Sequence, residues 1–165
     1  MKKNVFSNQT GFTMLEMMII IVIIGILASL AVPGFINWIP KMKVKNDAKT
    51  NLNYLRLARS KSVADNSQYG IYFDVAGNRV IYFEDTSSPE NLSYDPGLDS
   101  TVEAPYNMAS NVSLINCTFV NNTIIFFPNG SASTSGSITV TDESSGVAYN
   151  INVLASTGRV RLEQN

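Results

Sequence analysis

The segment TGFTMLEMMIIIVIIGILASLAVPG, residues 10–34, decides how the rest of the chain is read. Between Phe12 and Val32 it holds 21 residues, of which only Glu16 is charged. Wound as a helix, that run covers about 30 Å, the thickness of a bilayer's hydrocarbon core. Lys2 and Lys3 precede it. The positive-inside bias keeps that short basic tail in the cytoplasm and sends everything after Val32 across the membrane. A cleavable secretory signal is the competing reading, with Lys2 and Lys3 as its basic region and ASLA, residues 28–31, before the cut. Against it stand the length of the apolar run and the carboxylate inside it. Sequencing the mature N-terminus separates the two.

A carboxylate on a lipid-facing helix costs about 2.5–3.5 kcal/mol at mid-membrane and less toward an end, so Glu16 requires a partner or a function. Cleavage after Gly11 creates a partner. The new α-amino group on Phe12 sits one helical turn from Glu16, and in a low dielectric the two charges attract strongly. Within one helix they are poorly placed to satisfy each other; between staggered neighbouring helices they meet. A membrane anchor of this design is also an assembly device.

The stretch KKNVFSNQTGFTMLEMMIIIVIIGILASLAVPGF, residues 2–35, closely resembles the class III leader and hydrophobic N-terminal helix of type IV pilins and type II secretion pseudopilins. The resemblance implies that a membrane aspartyl prepilin peptidase cuts between Gly11 and Phe12 and N-methylates Phe12. It also implies that Glu16 registers each subunit in a helical fibre and that Pro33 ends the first helical stretch. The partners it implies are other major and minor pilins or pseudopilins, the peptidase and an inner-membrane assembly platform. The location it implies is the bacterial inner membrane, single-pass, with a cytoplasmic N-terminus and a periplasmic head, and afterwards the pilus or pseudopilus fibre.

Past Gly34 the helical period persists but becomes amphipathic. Ala48, Leu52, Leu55, Ala58 and Ser62 recur at steps of four, three, three and four along one face. Pro33 and Pro40 each remove a backbone donor, which predicts local kinking or melting. The helix is expected from Phe12 to about Asn66, about 80 Å if unbroken. Trp38, with Lys41, Lys43 and Lys45, reads as an interfacial anchor.

From Tyr69 the period changes to two. YGIYFDVAGNRVIYFED predicts a hairpin turning at Ala76, Gly77 and Asn78. NVSLINC, TIIFFP, GSITVTD, VAYNINVL and RVRLE predict further strands, separated by turn clusters such as PNG and ESSG. The expected fold class is α+β: a long N-terminal helix packed on an antiparallel sheet or two-sheet sandwich. Expected segments are a leader (1–11), a transmembrane and assembly helix (12–33), its amphipathic continuation (34–66) and a β-rich head (67–165). This layout, ending in STGRVRLEQN, most resembles the GspH/FimT branch of minor pilins and pseudopilins.

Composition narrows the chemistry. A chain of 165 residues has room for one ordinary domain and an accessory segment. It has no histidine, which removes Ser/His and Cys/His catalysis and His-ligated zinc. Cys117, the sole cysteine, excludes an intramolecular disulfide and reads as a small buried hydrophobe in a strand. The loop Asp85–Asn111 carries Asp85, Glu90, Asp95, Asp99 and Glu103, but its spacing fits no EF-hand, so no metal or other cofactor is expected. The chain is expected not to be an enzyme; the enzymatic alternative is a hydrolase using paired carboxylates such as Asp95 and Asp99.

GRVR is the remaining motif. In a strand, Arg159 and Arg161 share one face about 7 Å apart, a spacing that suits successive phosphates. Gly158, Arg159 and Arg161 match the GRxR motif implicated in DNA capture by FimT-like pilins, and the resemblance implies DNA as an alternative partner. Charge opposes it: residues 67–165 hold three basic side chains against ten acidic ones, a net −7. Lys41, Lys43, Lys45, Lys49, Arg56, Arg59 and Lys61 make the stem +5 net of Asp47 and Asp65. Attraction between one subunit's stem and another's head is therefore expected in a fibre.

Overall fold

The structure, a computed structural model, describes residues 11–86, 91–142 and 144–165. Lys2 and Lys3 of the leader, and Pro89 and Glu90 of the acidic loop, lie outside the described residues. The chain divides into two compact units between Trp38 and Ile39.

The first unit holds the start of helix α1 (Met14–Asp65). Thr13 caps it: its Oγ1 accepts the Glu16 N–H at 3.2 Å, and its carbonyl accepts the Met17 N–H at 3.2 Å. Thr-x-x-Glu is the spacing of a capping box, and a carboxylate in the first turn also suits the positive end of the helix dipole. The observed bond uses the Glu16 backbone N–H, so what the side chain adds here is a negative charge in the first turn. Residues 33 and 40 are both helical. The expected melting at the prolines, and the end of a helical stretch at Pro33, are not found. Each proline deletes one N–H from the ladder, and the bonds on either side keep the rest wound.

In the second unit, the rest of α1 buries the anticipated face. Ala48, Leu55, Ala58 and Ser62 are fully buried and Leu52 nearly so. Asp65 closes the helix, with Asn66 at φ 53° taking the left-handed position where the chain leaves it. Among the described residues nine strands follow: β1 (Tyr69–Asp74), β2 (Arg79–Glu84), β3 (Ser100–Thr101), β4 (Tyr106–Asn107), β5 (Ser113–Ile115), β6 (Thr123–Phe126), β7 (Gly136–Asp142), β8 (Val147–Leu154) and β9 (Arg159–Gln164). They form two sheets, β3-β2-β1-β6 with β4 also on β2, and β5-β7-β8-β9, antiparallel throughout. The two-sheet form of the expected head is the one observed.

The β1–β2 hairpin turns where the sequence placed it. Gly77 N–H donates to Asp74 Oδ1 at 2.8 Å, and Arg79 Nε donates to Asp74 Oδ2 at 2.8 Å. Tyr69, Ile71, Phe73, Val80 and Tyr82 point to the core shared with α1 and the second sheet. Leaving water is worth about 1.5–3 kcal/mol for each large apolar side chain, so this face holds the head together. The opposite face of the first sheet is covered too. Ile81, Phe83 and Ile125 are buried there, and Tyr94 packs on Phe83 and Tyr72 with ring centroids 5.0 and 5.2 Å away. Gly70 makes space for Phe83, whose ring a Cβ at that position would overlap.

Tyr94 belongs to the stretch read as a loop, Asp85–Asn111. That reading needs correction, because the stretch supplies β3 and β4 and lids the sheet. Two-residue strands have no periodicity to read; they exist through pairing with β2. Cys117 also departs from expectation. It follows β5 rather than lying in it, is half-buried, and has its thiol pushed up by burial.

Buried polar groups join the helix to the head. Asp47 is 3% exposed and accepts the Tyr106 hydroxyl and the Ala109 N–H, each at 2.8 Å. Burial raises the Tyr106 pKa, with Asp47 adding to it. Asp47→Asn presents an amide donor where one of these donors now points, and we expect it to cost about 1–2 kcal/mol by denaturant titration.

Three carboxyls set the acid limit. Asp74 is held low by the Gly77 N–H and then Arg79, Asp65 by the Tyr69 hydroxyl and then Lys61, and Asp142 by the Ser144 hydroxyl. They bind protons less readily folded than unfolded, so their contribution is whole above about pH 4 and is lost as pH falls through the lowered values. Tyr69 runs the other way, pushed up to about 12 by burial and then by Asp65. Its contribution is whole below about pH 10 and is lost as pH rises further. Denaturation midpoints across pH are expected to form a plateau bounded by those two limits.

Candidate functional site

Gly11 and Phe12 lie in coil ahead of the helix, both exposed. From Met14 to Val32 every large apolar side chain is exposed, Met14 at 88% and Leu30 at 74%. Among the described residues, the Glu16 carboxylate makes no hydrogen bond or ion pair within the chain. A long apolar surface with one unpaired anion near its start is stable only against lipid or other apolar helices. α1 is long and apolar enough to cross a membrane.

The GRVR motif sits at an edge. Arg159 and Arg161 are exposed in β9, alternating with buried Val160 and half-buried Leu162, as strand geometry predicts. Gly158 ends the β8–β9 turn at φ 59°. A Cβ there would run into the Gly130 carbonyl and lie 2.9 Å from Arg59 Nε. Arg59 Nε itself donates to that carbonyl at 3.0 Å, and Ser62 Oγ reaches the Phe127 carbonyl at 3.1 Å. The Ala132 N–H donates to the Ala155 carbonyl at 2.8 Å. The motif's glycine is therefore required by backbone packing, whatever the arginines do.

This packing brings together residues that are far apart in sequence. Arg56, Arg59, Leu154, Thr157, Gly158 and Arg159 line a groove of about 550 Å³. Asn152, Arg159, Arg161 and Glu163 line another of about 330 Å³. Among the described residues the ion pairs are Lys61–Asp65 at 3.2 Å and Arg79–Asp74 at 2.8 Å, and none involves these four arginines. Counting charge from residue 67 onward thus misjudged the surroundings of Arg159, because the helix contributes two further cations. Helical spacing placed Arg56 and Arg59 on an outward face; no sequence signal tied that face to β9.

The acidic loop has the opposite character. Asp99 accepts the Asp95 N–H at 2.7 Å, Asp95 accepts the Asn91 side chain, and Asp99 is 9% exposed. The Asp95/Asp99 pair considered for hydrolysis is thus engaged in shaping its own turn. Among the described residues no group of three or more His, Cys, Asp or Glu could hold a metal ion.

Two family models match the chain. The prokaryotic N-terminal methylation motif matches residues 6–32, the span containing Gly11, Phe12 and Glu16. The type II transport protein GspH matches residues 48–157, two thirds of the chain. The type IV major pilin PilA of Myxococcus xanthus is 39% identical over 70 residues, covering 42% of this chain and 31% of its own. The chain spans between 24% and 61% of the length of the curated relatives it matches. Solved structures that share the fold include two minor subunits. The minor pseudopilin EpsH from the type 2 secretion system of Vibrio cholerae has a TM-score of 0.54 at 12% identity, over 74% of this chain and 97% of its own. The type IV minor pilin FimU of Pseudomonas aeruginosa has a TM-score of 0.57 at 15% identity, over 74% and 90%. An exposed apolar helix leading into a two-sheet head, with that match across the head, establishes that the chain belongs to the GspH family of type II transport proteins.

Proposed function

We propose that this chain is a structural, non-enzymatic subunit of a type IV pilus or type II secretion pseudopilus, a minor pilin or pseudopilin that helps start or cap the fibre. It inserts in the inner membrane with its leader cytoplasmic and its head periplasmic. Prepilin peptidase cuts between Gly11 and Phe12, Phe12 is N-methylated, and the assembly platform passes the subunit into a fibre of sibling pilins. The observation that carries this reading is the apolar half of α1, whose large side chains find no cover among the described residues. Lipid covers them before assembly and neighbouring helices afterwards.

The test is the mass and sequence of the chain purified from its native envelope. We expect an N-terminus at methylated Phe12. A Gly11→Val variant should retain residues 1–11 and be absent from sheared fibres. A wild-type chain that begins at Met1, or a Gly11→Val chain that assembles normally, overturns the reading.

A further inference from the structure

We propose that the outer edge of β9 takes up an extended, acid-bearing segment of a different fibre subunit as an added strand, held by Arg159, Arg161, Arg56 and Arg59. The inference rests on the fibre reading above and names the chemistry of the partner. Two open sheets have four edges, and among the described residues three are closed or cut short. On β6, the Ile125 carbonyl accepts the Ser133 N–H at 2.8 Å and the Ile125 N–H donates to Ser133 Oγ at 3.1 Å. On β5, the Asn78 side chain donates to the Val112 carbonyl at 2.6 Å and accepts the Leu114 N–H at 3.0 Å. The β2 side ends in β3 and β4, which are too short to template a strand.

The fourth edge is β9, six residues long and paired with β8 on one side alone. The Asn165 N–H donates to the Ala148 carbonyl at 3.0 Å, which sets the alternation of the ladder. Arg159, Arg161 and Glu163 therefore bond to β8, while Val160, Leu162 and Gln164 turn their N–H and C=O groups outward. Among the described residues no hydrogen bond reaches those outward groups. An unpaired edge of this length is a template for a further strand.

Side chains beside the edge select what is added. Arg159 and Arg161 are exposed on one face about 7 Å apart. Arg56 and Arg59 join Arg159 and Val160 around the adjoining groove of about 550 Å³. None of the four has an ion pair among the described residues. A strand laid along β9 places every second side chain next to Arg159 and Arg161, so carboxylates two residues apart match them, and the intervening side chains fall beside Val160 and Leu162, where apolar groups fit. Glu163, next on the arginine face, disfavours a third carboxylate and so helps to set the register.

This chain offers no such segment itself. Of its 13 acids, none stands two residues from another, and a subunit that starts or caps a fibre need not meet a copy of itself. A phosphodiester backbone meets the arginines but has no N–H and C=O groups in strand register, and would leave the edge unpaired.

The experiment uses the full chain in detergent micelles and a short capped peptide that alternates aspartate with valine. Wild type should bind it, with the Leu162 and Gln164 amides exchanging about tenfold more slowly in the complex, while Arg161, already bonded to β8, keeps its rate. The same peptide N-methylated at alternate residues keeps every charge but cannot complete the ladder, and should bind about tenfold more weakly. Arg159→Ala with Arg161→Ala should weaken the unmodified peptide about tenfold. No binding, equal binding of the two peptides, or unslowed exchange at Leu162 and Gln164 overturns the added strand. Retardation of duplex DNA that the double variant loses, with the peptide unbound, overturns it in favour of a nucleic-acid surface. In the native envelope the double variant should be processed normally and fall about tenfold in sheared fibres; unchanged recovery overturns a fibre subunit as the occupant. Wild-type chain that binds the peptide yet begins at Met1 in its envelope overturns the fibre reading and leaves the edge site standing.

Discussion

Replacing Glu16 with leucine is expected to abolish incorporation into fibres while leaving membrane insertion intact. Insertion should improve, since the substitution removes a carboxylate that costs about 2.5–3.5 kcal/mol at mid-membrane. Assembly should fail because a neighbouring subunit's α-amino group loses the anion it meets. A second role has to be separated from the first, since Glu16 stands at the capping-box spacing from Thr13, whose Oγ1 accepts the Glu16 backbone N–H. Glu16→Gln separates them. Glutamine can cap as glutamate does but carries no charge. If the ion pair between chains is what matters, glutamine assembles as poorly as leucine. If helix capping is what matters, glutamine assembles normally and Thr13→Ala shows the defect instead, with a loss of about 1 kcal/mol in helix stability. Fibre recovery of the three variants, with N-terminal processing scored in parallel, checks the prediction.

The second large effect is expected at Gly158. Gly158→Ala should destabilise the head by about 3–4 kcal/mol, combining left-handed backbone strain of about 1 kcal/mol with displacement of the Gly130 turn. The added methyl meets a backbone carbonyl and the Arg59 side chain, so relief needs the two turns to separate. Separation in turn breaks the Arg59–Gly130 hydrogen bond and opens the groove. Arg159→Ala, at the next residue of the same motif, should change stability by less than about 0.5 kcal/mol because its side chain is exposed and has no ion pair among the described residues. Denaturant unfolding of both variants measures the difference. Equal stability of the two would show that the glycine is not held by its packing. The contrast also bears on how GRVR is read. A binding defect in a Gly158 variant reports a broken fold, whereas one in an Arg159 or Arg161 variant reports the surface.

Much of the architecture was legible in residue order because it follows from local periodicity. A 21-residue apolar run dictates a membrane-length helix, and Ala48, Leu52, Leu55, Ala58 and Ser62 dictate which face of its continuation is buried. Alternation over Tyr69–Asp74 and Arg79–Glu84 dictated the first hairpin, and the strands near residues 113, 123, 136, 147 and 159 followed from the same signal. β3 and β4 were not legible, since two residues hold no period and their bonds come from β2. Nor was the covering of the first sheet's outer face. Ile81, Phe83 and Ile125 are buried on that second face, and only Tyr94's position shows what covers it. Thr13 caps the helix three residues before Glu16, a short-range spacing that residue order carries.

Sequence by itself determined the apolar anchor, its single anion, the amphipathic stem and the longer strand segments of the head, because each depends on neighbours a few residues away. Tertiary structure alone decided what stands beside GRVR. Arg56 and Arg59 reach Arg159 through the turn at Gly130, across roughly a hundred residues of chain, and a sum of charge along a segment has no knowledge of that fold. Electrostatic surroundings depend on distance in space, which packing sets, and the helix's two arginines change the field around β9 from the one its own segment implies.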